Sequence, residues 1–218
     1  MVTTELKVEQ EFKKVISERR SVRKYDPSWK ISKEEIEELL NEAILAPSSS
    51  NLQPWRFIVI NDQSLQEKLL PIAYNQQQTV DASAIIAVLG DTEAYRNVHT
   101  IYDKAQAEGF ITPEIKETMV NNTWNNYSSF TPERRNNIAL VDGGLISMQL
   151  MLAAKAKGYD TVPMGGYDPV AFRELFQIPE RYVPVMLIAL GKAAAEGRPT
   201  TRLPLEQVTF WNEFQGEK

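Results

Sequence analysis

Apolar and polar positions alternate along this chain with two different periods. Between Leu6 and Glu18, Val8, Phe12, Val15 and Ile16 share one helical face, and the run ends in a basic segment. Ser32 stands before Glu35 as in a capping box and opens a second helix, striped by Ile36, Leu39, Leu40, Ala43 and Ile44. Pro47 sets its end, because proline disfavours helical geometry in the residue before it. The period then changes. WRFIVI (Trp55 to Ile60) is rich in branched and aromatic residues, as strands are. Asp62 caps a short helix carrying Leu65, Leu69 and Leu70. A polar stretch, YNQQQTVDAS, then leads to a second strand, AIIAVLG.

Residues 93–128 predict two helical pieces, Glu93 to Glu108 and Pro113 to Asn126, with Gly109 between them. This polar, Asn-rich excursion, residues 93–130, reads as mobile and exposed. Its aromatics Tyr95, Tyr102, Phe110, Trp124, Tyr127 and Phe130 still need something to pack on. Pro132 opens the longest helix, which runs to Lys157 and ends at Gly158. Between Ile138 and Ala154 it is apolar on nearly every side, as a buried central helix is. Gly143 and Gly144 cost roughly 1 kcal/mol each against alanine, so close packing is expected to compensate. TVPMGGYDP, a helix capped by Asp168 and opened by Pro169, and the strand VPVMLIAL complete the core.

Helices and strands alternate only loosely, without repeats or linkers, which predicts one α+β domain over residues 1–218, a small central sheet with helices on its faces. The tail beyond Gly191 carries RPTTRLP and an aromatic end, FWNEF. It either packs back on its own domain or reaches across to a second subunit.

Composition removes several chemistries. With 24 Lys+Arg against 29 Asp+Glu the net charge is −5, which argues against a nucleic-acid binder. The chain has no Cys, which excludes disulfides and thiolate catalysis, and its lone His99 leaves no paired-His metal site. G-x-S-x-G, G-x-G-x-x-G and the P-loop pattern are absent, so neither a serine triad nor a standard phosphate cradle is supported. The N-terminus has no apolar signal region, and Ile138 to Ala154 is too short and too polar for a good membrane span. The expected location is cytoplasmic.

Two stretches stand out. RRSVRK (residues 19–24) concentrates guanidinium forks that can grip phosphate oxygens, yet a solvated turn at a helix end has the same composition. PSSSNLQPW (residues 47–55) crowds hydroxyls and amides between two prolines, which suits the polar edge of a flat heterocycle or, equally, an ordinary helix-terminating turn.

Together, and in this order, they resemble the FMN-dependent nitroreductase family. The resemblance continues through NQQQTVDAS, VPMGGYDP, the strand ending at Gly191 and the TTRLP tail, so it spans nearly the whole chain. It implies a nitroreductase-like fold with a mostly antiparallel sheet, a homodimer that exchanges its C-terminal extensions, and tightly held, non-covalent FMN at the subunit interface.

The resemblance places Arg19, Arg20, Ser21 and Arg23 on the FMN phosphate, ribityl chain and ring, and Arg202 on the phosphate. Pro47, Ser48, Ser49, Asn51 and Gln53 match a loop contributed by the partner subunit. Asn75 and Gln78 match positions beside the isoalloxazine edge, and Pro163, Met164, Gly165 and Gly166 match the loop against the ring. Gln78 replaces a lysine, and Gly165 a glutamate, of enteric members. No protein group is expected to act as a catalytic acid or nucleophile, and no metal is expected. NADH or NADPH would reduce the flavin, and a nitroaromatic, quinone or other small aromatic acceptor would reoxidise it from the same pocket. A non-catalytic flavin carrier or redox sensor, and relatives that dehalogenate substrates or fragment flavin, are the alternatives.

Overall fold

Strand-forming residues at alternating positions build a four-stranded sheet in the order β1-β2-β4-β3. The strands are β1 (Trp55–Ile60), β2 (Ala84–Asp91), β3 (Asp160–Met164) and β4 (Tyr182–Gly191), and every neighbouring pair is antiparallel. The structure, a computed structural model, describes residues 11–214 and 216. The predicted helical face at Val8 lies outside the described residues.

The strand period splits β2 between two cores. Ile85, Ala87 and Leu89 face one apolar cluster with Leu69, Phe172 and Ala189, beneath α3 (Gln63–Ile72) and α8 (Pro169–Phe176). Ala84, Ile86 and Val88 face the other, with Ile36 and Leu39 of α2 (Lys33–Ala43) and Ile146 and Leu150 of α7 (Pro132–Ala156). The mixed α+β layering follows from this two-sided burial.

The capping box at Ser32 and Glu35 forms, and Asp62 accepts from the Leu65 N–H. α2 stops at Ala43, earlier than Pro47 alone requires. Tight turns through Leu45 N–H to Glu42 O and Ala46 N–H to Ala43 O fill the gap. The polar stretch before β2 contains a one-turn helix, α4 (Gln78–Asp81). Residues before α5 (Val98–Ala107) form a separate 3-10 turn, Ala94–Asn97, rather than one continuous helix. α6 (Pro113–Ser129) opens on Pro113 with Thr112 as cap. The excursion is not a loose appendage, since Tyr95, Tyr102, Val98 and Val120 pack with Leu52 in a third cluster.

α7 departs most from expectation. It is long and apolar enough to cross a membrane by length and composition, yet one face lies on the sheet, while Val141, Leu145 and Met148 on the other are exposed. The two glycines separate accordingly. A Cβ on Gly143 would sit 2.6 Å from a Val185 methyl, whereas one on Gly144 would meet nothing within 4 Å. Close packing thus explains Gly143 alone.

The described part of α1, residues 11–18, leaves Phe12 and Ile16 exposed. With α7 it frames a groove of about 1210 Å³ lined by Phe12, Val15, Pro47, Val141, Leu145 and Met148. The tail including α9 (Leu205–Val208) is equally uncovered, with Leu203, Leu205, Trp211 and Phe214 exposed.

Gly143→Ala is expected to lower stability by about 1–3 kcal/mol, because stiff, β-branched Val185 must give way. Gly144→Ala, made as a separate variant, meets nothing within its own chain and is expected to cost less stability than Gly143→Ala by at least about 1 kcal/mol. Urea unfolding followed by circular dichroism compares them.

Candidate functional site

The basic segment is laid along the free edge of β3. Ser21 forms a parallel bridge with Thr161, and the Val22 N–H donates to Thr161 O at 3.1 Å. Beyond it Tyr25 bridges Ala193, and its hydroxyl donates to Ala189 O at 3.2 Å. Val22 and Tyr25 plunge into the core and fix the strip from beneath. Burial, then the nearby Asp160 carboxylate, raises the Tyr25 phenol far above its ordinary value, with Arg23 opposing. Tyr25 is therefore a neutral anchor.

The cations stay on the outside. Arg20 donates to the carbonyls of Ser17 and Arg19, and Arg23 reaches Ser21 O at 3.4 Å. Arg202 donates to Thr200 Oγ1 at 2.8 Å and Thr201 O at 2.7 Å. Among the described residues, no carboxylate pairs with Arg19, Arg20, Arg23 or Arg202. Gly197 brings the start of the tail against this strip, since a Cβ there would sit 2.5 Å from the Arg20 Cβ.

A second segment joins the same edge. After α3 the chain turns through Tyr74 and Asn75, both left-handed at φ 54° and 56°. Gln76 Nε2 donates to Gly166 O at 2.7 Å, and the Asp168 N–H donates to Ile72 O at 2.9 Å. Gln78 is buried and donates to Gln76 Oε1 at 3.0 Å. β3 itself runs through Pro163 and buried Met164 into exposed Gly165 and Gly166, and a Cβ at Gly165 would meet nothing within 4 Å. Burial pushes the Tyr167 phenol beyond these glycines up to about 12, so it stays neutral. Arg19, Arg20, Ser21, Arg23, Asn75, Gln78 and Pro163 to Gly166 therefore lie on segments joined along one edge.

Pro47, Ser48, Ser49, Asn51 and Gln53 do not join them in one chain. Their loop precedes β1, at the opposite edge of the sheet. Among the described residues no hydrogen bond or ion pair connects it to the first group. Ser50, Asn51 and Gln53 all have positive φ, 50°, 51° and 48°. Such conformations cost on the order of 1–3 kcal/mol each and persist only where the surroundings enforce them.

The enforcement is visible. The Gln53 N–H donates to Ser48 Oγ at 3.0 Å, and the Tyr102 hydroxyl to Ser50 O at 3.0 Å. Asp142 of α7 accepts the Ser49 N–H on both oxygens at 3.1 Å and the Ser49 hydroxyl at 3.0 Å. Asp142, Tyr102 and Tyr127, whose hydroxyl lies 3.2 Å from Ser50 Oγ, thus hold the candidate loop; sequence reasoning had Tyr102 and Tyr127 only among the excursion aromatics that could wall a pocket, and it missed Asp142. The available signal was one acidic residue inside an apolar helix.

With this geometry in place, comparison with known proteins decides the ancestry. The sequence pattern described as "Nitroreductase family" matches residues 16–192, most of the chain. This chain belongs to the nitroreductase family. A Bacillus subtilis (strain 168) relative, provisionally named NAD(P)H nitroreductase YdgI, is 46% identical over 92% of this chain and 97% of its own. The CLA biosynthesis enone reductase of Lactiplantibacillus plantarum is 36% identical over 86% of this chain and 88% of its own. A crystal structure of a provisionally assigned nitroreductase from Exiguobacterium sibiricum 255-15, in complex with FMN, has a TM-score of 0.89 at 44% identity, covering 92% of this chain and 97% of that one. The nitroreductase fold expected from sequence is thus confirmed.

Gln76→Ala is expected to free the turn at Asn75 from the glycine loop at a cost of about 1 kcal/mol. Amide hydrogen exchange in residues 163–167 should quicken while that of β2 stays unchanged.

Proposed function

We propose that this nitroreductase-family chain is an FMN-dependent NAD(P)H oxidoreductase that reduces nitroaromatics, quinones or related small aromatic acceptors in a ping-pong cycle. It works as a cytoplasmic homodimer whose C-terminal extensions are exchanged. One observation carries the reading: the basic strip, the Asn75 turn and the Gly165–Gly166 loop are hydrogen-bonded along one sheet edge. That edge suits FMN chemically. It offers guanidinium donors without carboxylate partners among the described residues, beside a ledge free of side chains at Gly165.

Bound FMN supplies the hydride-accepting and hydride-donating chemistry. Arg19 and Arg23 hold the phosphate by charge-assisted hydrogen bonds, with Arg20, the Ser21 hydroxyl and Arg202 completing the set. Asn75 would present its amide to the ring edge, and Pro163 to Gly166 would line the ring. Gln78, expected beside the same edge, is buried with its amide on Gln76, so it would brace the Asn75 turn from beneath rather than touch the ring. Gly165 leaves the approach open, so nicotinamide and acceptor use one pocket in turn. This agrees with a sequence that has no dinucleotide-binding G-x-G-x-x-G.

Pro47, Ser48, Ser49, Asn51 and Gln53 come from the second copy. Support comes from their position on the opposite edge, the uncovered apolar face of α7, the vacant space beside Gly144 and the exposed tail. A large apolar surface left open on one protomer is the mark of an interface.

The purified protein should be yellow with stoichiometric FMN, bleach anaerobically with NADH or NADPH, and recolour with a nitroaromatic or quinone. Yellow protein that neither nicotinamide bleaches contradicts catalysis and leaves a flavin carrier. Arg23→Ala should weaken FMN retention by about tenfold, as loss of one charge-assisted contact does. Unchanged retention removes Arg23 from the phosphate set.

A further inference from the structure

Asp142 is a carboxylate 1% exposed on a helix whose other buried side chains are apolar apart from the Ser147 hydroxyl. Its bonds from Ser49 hold a loop with three left-handed residues, none of them glycine. We propose that Asp142 is the positioning residue that locks the loop of Ser48 to Gln53 into its cofactor-binding shape, so that flavin retention depends on Asp142 being ionised. This rests on the FMN reading above and adds to it a residue and a pH dependence.

The chemistry follows from donor and acceptor counts. An ionised carboxylate only accepts, so both oxygens can take the Ser49 N–H while one also takes its hydroxyl. Once protonated, one oxygen carries a hydrogen and becomes a donor facing the Ser49 N–H, which is also a donor. Only the other oxygen is left to accept, now without a negative charge, so the bonds from Ser49 weaken and the strained backbone of Ser50, Asn51 and Gln53 is held less firmly to α7. The other side-chain holds on the loop, Tyr102 of α5 to Ser50 O, Tyr127 of α6 beside Ser50 Oγ, and the Gln53 N–H to Ser48 Oγ, do not reach α7.

The surroundings set the direction of titration. A small cavity beside Asp142 is also lined by Arg135 of α7, Asp91 of β2, Tyr95 of the 3-10 turn and Tyr127 of α6. Asp91 is engaged by Arg181 and Arg56, and the Arg135 guanidinium lies 5.7 Å from the Tyr95 ring centre. Burial raises the Asp142 pKa above its ordinary value, and the Ser49 bonds oppose this without cancelling it.

The signs for stability and for cofactor are then opposite. A carboxyl whose folded pKa is raised contributes most stability below its unfolded pKa, and loses that contribution as pH rises through the folded value. Retention of FMN needs the charged form, so it weakens as pH falls through that same folded value. The charge at Asp142 costs the fold something and serves the loop.

The test compares wild-type and Asp142→Asn holoprotein. Released FMN is followed by its fluorescence on dilution, from neutral pH through the acid range, alongside the dimer content and the melting temperature of each protein after its FMN has been removed, so that lost ligand stabilisation does not enter the comparison. At neutral pH the variant should hold FMN about tenfold more weakly, with an equal or higher melting temperature and an intact dimer. Relative to wild type, its acid-induced loss of FMN should be reduced. Equal retention and the same pH profile overturn the proposal, as does a parallel loss of melting temperature and FMN, which marks a merely structural residue.

If Asp142→Asn does not fold, Ser49→Ala decides. Losing one bond to the carboxylate should move the acid limb of retention to higher pH, over and above any uniform loss from Ser49's own place in the binding loop, and an acid limb that stays where it is in the wild type overturns the role of Asp142. Wild-type protein that carries no FMN at any pH refutes the functional reading itself, which separates the two failures.

Discussion

The rest of the structure depends on how α7 is covered. The helix is apolar on two opposite sides, and one sheet can cover only one of them. Ile146, Leu150 and Ala154 press onto β2 and β4, and Gly143 lets the helix close on Val185. Val141, Leu145 and Met148 are left facing the groove beneath α1. At roughly 25 cal/mol per Å² of apolar area removed from water, covering that groove is a strong drive toward association. The proposed second copy satisfies it, and the same helix carries Asp142, which ties the loop before β1. One element thus supports both the interface and the half-site that the interface would deliver.

This arrangement makes sense of a site whose parts sit at opposite edges of one sheet. The β3 edge collects cations, amides and bare glycines. The loop before β1 collects hydroxyls and amides in a conformation the chain would not adopt unaided. Neither group by itself combines the cations of the β3 edge with the hydroxyls of the loop before β1. In the proposed dimer each protomer provides the first group for one flavin and the second group for the other.

Much of this was legible in the sequence because it is locally encoded. Ser32 with Glu35, Asp62, Pro113 and Asp168 with Pro169 mark helix starts through caps that need only a few neighbouring residues. The strands followed from composition, and the resemblance of RRSVRK and PSSSNLQPW in order pointed to the family that the comparisons confirm. What sequence could not supply was burial and long-range pairing. The periodicity of α7 predicted burial all round, since apolar residues read the same whether sheet or partner covers them. Gly144 looked like Gly143 until the space beside each was known. Asp142 stood out in the sequence only as one acidic residue in an apolar helix, because its partner Ser49 lies 93 residues away in the chain. The aromatic excursion read as loose because its anchor, Leu52, sits in a different segment.

Complementation tests the two-chain site most directly. One variant carries Arg19→Ala with Arg23→Ala and lacks the phosphate grip; the other carries Asn51→Ala with Gln53→Ala and lacks the loop contacts. Each alone should hold little FMN. Unfolded and refolded together, the chains form mixed dimers in which one of the two sites has both halves intact, so flavin binding should reappear in the mixture. A mixture that binds no more FMN than its parents would contradict a cofactor site built from two chains.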